Sequence, residues 1–120
     1  MDYRQIARFL AAGRAVVGLA SLVAPTMALR SVGAASDTGA RLITRAFGGR
    51  ELMLALGALR SLDHDEHSQA WVRAGAGADV IDAAAVVLGA RGLGVTRSVA
   101  GATVATAAAV AGLRAADRLD

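Results

Sequence analysis

Apolar residues fall into four long runs, at about 6–29, 40–62, 70–90 and 98–113, separated by short polar stretches. None of the runs sustains the two-residue alternation of a half-buried strand, and their high alanine content favours helix. The pattern predicts an all-α fold, four helices forming one domain over residues 1–120. The breaks at Ser31 to Asp37, Ser61 to Ser68 and Gly89 to Gly94 combine helix stops with new helix starts. Pro25 lies inside the first run. It is expected to kink that helix or end it about a turn early, leaving Thr26 to Leu29 as an extension.

Each run is long enough to cross a hydrocarbon core of about 30 Å at about 1.5 Å per residue, the fourth only just. That fourth run, Ser98 to Leu113, holds no ionisable residue, and its polar side chains are only Ser98, Thr103 and Thr106. It therefore has no face suited to water. Arg97 and Arg114 bracket it, where long cationic side chains snorkel to opposite interfaces. The expectation is a four-transmembrane-helix bundle, a multi-pass protein of the plasma membrane whose first partner is the lipid bilayer. A soluble Ala-rich helical bundle is the alternative, because the first three runs carry charges. The first run is interrupted by Arg14 and followed by three more, unlike a cleaved signal sequence. With an even number of crossings both termini share a side, together with Arg4, Arg8, Arg60, Arg114 and Arg118. Arg30, Arg41, Arg91 and Arg97 fall opposite, and the small excess places the termini in the cytoplasm.

Composition narrows the chemistry. Hydrophobic residues make up 55% and charged residues 19%, with a mean hydropathy of +0.48, which excludes disorder. Cysteine is absent, which removes disulfides, thiolate metal sites and cysteine nucleophiles together. The net charge of +3 comes from arginines scattered singly, with few aromatics to stack on bases, so nucleic acid is not an expected partner. Gly75-Ala-Gly77 and Gly89-Ala-Arg-Gly92 imitate nucleotide loops but have no strand before them. His64 and His67, three apart beside Asp63, Asp65 and Glu66, are weak metal-ligand candidates in what reads as a solvated acidic loop. No Ser or His triad is visible. The expectation is a protein that is not an enzyme and binds no cofactor.

The residues a membrane should reject carry most of the information: Arg14, Arg45, Arg50, Glu51, Arg73, Asp79 and Asp82. Counted along antiparallel helices, Arg14, Asp79, Glu51, Arg50 and Asp82 all come out roughly 12 to 18 Å from the terminus-side face. Asp79 and Asp82, three apart, share a helix face and point together toward Arg14 and Arg50. Left unpaired at mid-depth, each would cost at least about 2.5 kcal/mol. An internal arginine–carboxylate network is predicted, serving either to register the helices or to bind a proton, ion or small polar ligand. Small-residue ladders at Gly101, Ala105 and Ala109, at Ala108 and Gly112, and at Ala85 and Gly89 suit close helix approach.

Three motifs carry a resemblance. Arg14 to Pro25 reads R-x3-G-x6-P, Phe47 to Gly57 reads F-G-G-R-E-x5-G, and Ala78 to Asp82 reads A-D-V-I-D. Together they resemble the small four-helix integral membrane proteins of actinobacteria, distantly similar to the DoxX-like group. The resemblance implies a plasma-membrane bundle with Arg14, Arg50, Glu51, Asp79 and Asp82 as its characteristic polar positions, and it implies no reaction. The function expected is an accessory or binding subunit that self-associates or joins a larger membrane complex. The alternative is a minimal proton or small-solute transporter using the same carboxylates.

Overall fold

The computed structural model describes residues 2–65, 67–88 and 95–119, with side chains described outside 85–88 and 95–102. It contains five helices: α1 (Tyr3–Val23), α2 (Pro25–Ser31), α3 (Thr38–His64), α4 (Ser68–Leu88) and α5 (Val95–Ala116). No strand occurs among the described residues. The chain is thus all-helical, but the single first helix expected over 6–29 is two. Pro25 has no N–H to continue the ladder, and Ala24 leaves the helical region at φ −130° and ψ 61°. The helix restarts with Pro25 in its first turn, where the missing N–H costs nothing. The Gly89 to Gly94 break, and the end of the run expected to reach 90, lie outside the described residues.

Local chemistry sets the remaining ends. Asp2 accepts from the Gln5 backbone N–H at 2.7 Å while the Gln5 side chain accepts from the Asp2 N–H at 3.2 Å, a reciprocal capping box. Asp37 caps α3 by accepting from the Ala40 N–H at 2.8 Å. At the other end of α3, Asp65 adopts a left-handed φ of 54°, which turns the chain toward α4.

α1 packs most extensively on α3, and α4 on α5; lighter contacts between α3 and α4 and between α5 and α1 close the ring, and α2 lies on α3. The buried positions follow a three–four spacing. On α1 the stripe is Ala7, Ala11, Gly18 and Ser21 with the half-buried Arg14; on α3 it is Gly48, Glu51, Ala55, Ala58 and Leu62; on α4 it is Ser68, Val72, Gly75 and Asp79, with the half-buried Asp82 continuing it. Such seams bring helices together face to face. Their occupants are small or charged, and Leu62 is the one large side chain that is fully buried among the described residues.

Small occupants permit close approach. A Cβ on Gly18 would lie 2.7 Å from the Leu52 nitrogen, and one on Gly48 would lie 2.6 Å from the Gly18 oxygen. The backbones of α1 and α3 touch there, and neither position has room for a side chain. Gly112 of α5 faces the Ala76 side chain of α4, whose methyl carbon would lie 3.1 Å from an added Cβ.

The large apolar side chains face outward instead. Phe9, Val16, Val23, Met27, Ile43, Met53, Ile81 and Val104 are all among the exposed residues. Among the described residues one helix, α1, is long and apolar enough to cross a membrane by length and composition; Thr103–Ala116 is a shorter apolar stretch. The four spans expected from the sequence are therefore met by one on these terms. α3 and α4 are more highly charged along their length, with Arg45, Arg50, Glu51 and Arg60 on α3 and Arg73, Asp79 and Asp82 on α4.

Candidate functional site: an arginine–carboxylate network inside the bundle

The structure brings Arg14, Arg50, Glu51, Asp79 and Asp82 together. Arg14 is the hub. It sits in the α1 seam between Ala11 and Gly18, and the absence of a side chain on Gly75 opens the facing surface of α4, so that the guanidinium lies against that glycine. From there Nη1 donates to Glu51 Oε2 of α3. Nη2 donates to Asp79 Oδ2 at 2.5 Å and to the Gly75 carbonyl at 2.9 Å. One side chain of α1 thereby joins α3 and α4.

Arg50 extends the network toward the surface. It bonds Glu51 Oε1 at 3.0 Å and Asp82 Oδ2 at 2.8 Å, while its guanidinium carbon lies 5.1 Å from the centroid of the Phe47 ring. Arg50 and Glu51, about 100° apart on their helix, do not share a third partner; Arg50 instead folds back onto its neighbour. Asp79 and Asp82 use their common face as expected, each taking a different arginine.

Burial grades across the site. The Glu51, Asp79 and Arg14 side chains are 5%, 12% and 14% exposed, whereas Asp82 and Arg50 reach 33% and 39%. Among the described residues no buried side-chain nitrogen or oxygen lacks a hydrogen-bond partner, so the inner part is saturated. The interior beside Arg14 and Asp79 leaves a cavity of about 20 Å³, walled by Ala11, Ala58, Val72 and Ala76. That is room for about one water molecule. By charge, two arginines face three carboxylates, an excess of one negative charge.

The other sequence candidates lie elsewhere. His64 at the end of α3 and His67 in the α3–α4 connection are both exposed, and His64 Nδ1 lies 2.8 Å from the Arg60 carbonyl. Among the described residues no group of three or more His, Asp or Glu is placed to hold a metal ion. Arg73 lies at the terminus end and pairs with Asp117 at 2.7 Å, and Arg45 is exposed on α3. Sequence reasoning missed the Gly75 carbonyl, Arg14's third acceptor, and the Gly18–Gly48 crossing that draws α1 onto α3.

Comparison with known proteins finds no matching family model, no matching curated protein and no matching solved structure.

Proposed function

We propose that this chain is a small multi-pass membrane protein, an accessory or binding subunit in which α1, α3, α4 and α5 cross the bilayer around the arginine–carboxylate network. The observation that carries this reading is the inverted distribution of side chains. Glu51 and Asp79 are inside with alanines and glycines, while Phe9, Val23 and Ile43 are each 73% exposed. Water favours the opposite arrangement. In lipid, outward Phe, Val and Ile are at home, and helices associate through small residues and polar contacts, as α1 and α3 do at Gly18 and Gly48. The long dimension of 42 Å also suits a bilayer of about 40–45 Å with its headgroups. Kinship with the small DoxX-like proteins, and assembly with further copies or a larger membrane complex, belong to the same proposal. No reaction is assigned to the network.

The test is fractionation of the intact protein with a carbonate wash that strips peripheral proteins. Retention in the membrane supports the reading; release into the supernatant overturns it in favour of a soluble bundle. Mass measurement in mild detergent then separates assemblies from monomers, and monomers at every concentration would remove self-association.

A second reading is favoured by the network's excess of one negative charge. In apolar surroundings an excess negative charge attracts a proton or cation, and the half-exposed Asp82 and Arg50 give that site a way out. Proton or small-solute transport through Glu51, Asp79 and Asp82 predicts that Glu51→Gln and Asp82→Asn alter flux into reconstituted vesicles. Unchanged flux in both variants removes it.

A further inference from the structure

The two ends of the bundle match their arginines differently. Around the termini and the α3–α4 connection, Arg4 pairs with Asp65, Arg8 with Asp63 and Arg73 with Asp117. Arg118 lies over Tyr3, 5.2 Å from the ring centroid, and Arg60 and Arg114 are exposed without an ion pair among the described residues. At the opposite end, α2 and the first turns of α3 carry Arg30, Arg41 and Arg45, and Asp37 is the single acid in residues 24–50. Asp37 is engaged in capping α3. Arg41 donates to the Ser36 carbonyl and the Thr38 hydroxyl, both at 3.3 Å, neutral oxygens that fix its position without cancelling its charge. None of the three arginines is ion-paired among the described residues. Residues 83–113 contain no acid.

Large apolar side chains accompany these arginines. Met27, Leu42 and Ile43 are 70%, 61% and 73% exposed. Ser36 Oγ bonds Thr26 Oγ1 at 3.2 Å, which ties the start of α2 to the approach to α3 and holds this end together. Guanidinium groups recognise phosphate oxygens in pairs. Arginines alternating with outward Met, Leu and Ile suit the boundary between headgroups and acyl chains, where both kinds of group are satisfied. Free phosphate would use the arginines alone and leave the apolar residues in water.

We propose that this end of the bundle is a binding surface for anionic phospholipid headgroups. Arg30, Arg41 and Arg45 engage the phosphate diesters while Met27, Leu42 and Ile43 enter the first part of the acyl layer. The inference rests on the membrane reading above. The terminus end has six acids against six arginines in residues 2–8, 60–73 and 114–120, no net charge, and therefore no such preference.

Trp71, the only tryptophan, reports on the terminus end, and Met27→Trp in a Trp71→Phe background reports on the basic end. Each chain is reconstituted into phosphatidylcholine vesicles carrying either brominated phosphatidylglycerol or brominated phosphatidylcholine, and quenching is compared. Expected at position 27 is about a fivefold preference for phosphatidylglycerol, the attraction of about one arginine, with none at Trp71. Arg30→Gln/Arg41→Gln/Arg45→Gln should abolish it. Should either substitution disturb the helical circular dichroism spectrum, Leu42→Trp with Trp71 retained supplies the same comparison. Equal quenching by the two lipids at position 27 overturns the proposal and leaves the membrane reading standing. Loss of the preference to inorganic phosphate, beyond the effect of chloride at equal ionic strength, assigns the surface to free phosphate and also overturns it. No quenching by either lipid at either tryptophan overturns the membrane reading, and this inference with it.

Discussion

Arginine and carboxylate pair in two regions of this bundle, at the terminus end and at mid-bundle, under different conditions. Arg8 with Asp63 and Arg73 with Asp117 are more than half exposed on both sides. Water solvates these groups whether or not they meet, so such a pair contributes about 0–1 kcal/mol. Arg14, Glu51 and Asp79 are nearly closed off. There the attraction is stronger, but so is the cost of removing each charge from water, and the pair is stable only while complete. The terminus-end pairs tune the surface; the inner network fixes which turn of α1 lies against which turns of α3 and α4.

The largest effect should come from opening the network at its hub. Arg14→Ala strands Asp79 beside Glu51, which keeps only Arg50, and is expected to destabilise the protein by about 3–5 kcal/mol, measured as thermal unfolding in mild detergent. Replacing the whole inner set, Arg14→Met/Glu51→Leu/Asp79→Leu, should recover most of that loss, since apolar residues of similar volume commonly match a buried ion network. A triple variant as unstable as Arg14→Ala would mean that the charges contribute more than registration.

Close packing is the next contributor. Gly48→Ala, whose new Cβ meets backbone of α1 at 2.6 Å, should cost about 1–3 kcal/mol by the same measurement. Asp82→Asn keeps a hydrogen-bonding group beside the half-exposed Arg50, which retains Glu51, and should cost about 1 kcal/mol. Smallest of all, Arg8→Ala should shift stability by less than about 1 kcal/mol, and a double-mutant cycle with Asp63→Ala should give a coupling no larger. A coupling at Arg8–Asp63 as large as that at Arg14–Glu51 would erase the distinction between the two regions.

Much of this was legible in the sequence for one reason: a charge inside an apolar run is conspicuous, and a rise of about 1.5 Å per residue converts its position into a depth. That is how Arg14, Glu51 and Asp79 could be placed at one level before any helix was packed. The Ala24 break was half legible, since proline announces an interruption but not whether the helix resumes. The Gly75 carbonyl had no signature, because every helical residue has a carbonyl and only packing decides which one an arginine reaches. Gly18 and Gly48 stand in the R-x3-G and F-G-G-R-E motifs, but nothing in a chain with 14 glycines says that these two meet. The return of Arg50 onto Glu51 is a rotamer choice, which residue spacing does not encode. The inversion of large and small side chains was obscured because alanine scores as hydrophobic whichever way it faces.

The hub residue also has a consequence for biosynthesis. Arg14 is made 37 residues before Glu51 and 65 before Asp79. At about 5–20 residues per second the ribosome keeps α1 waiting for several seconds before the last of these partners emerges. α1 is long and apolar enough to cross a membrane by length and composition, and it nonetheless carries a cation that only later helices neutralise. On the membrane reading its insertion is provisional until α3 and α4 follow, and a chain truncated after α1 should be poorly retained in the bilayer and readily degraded.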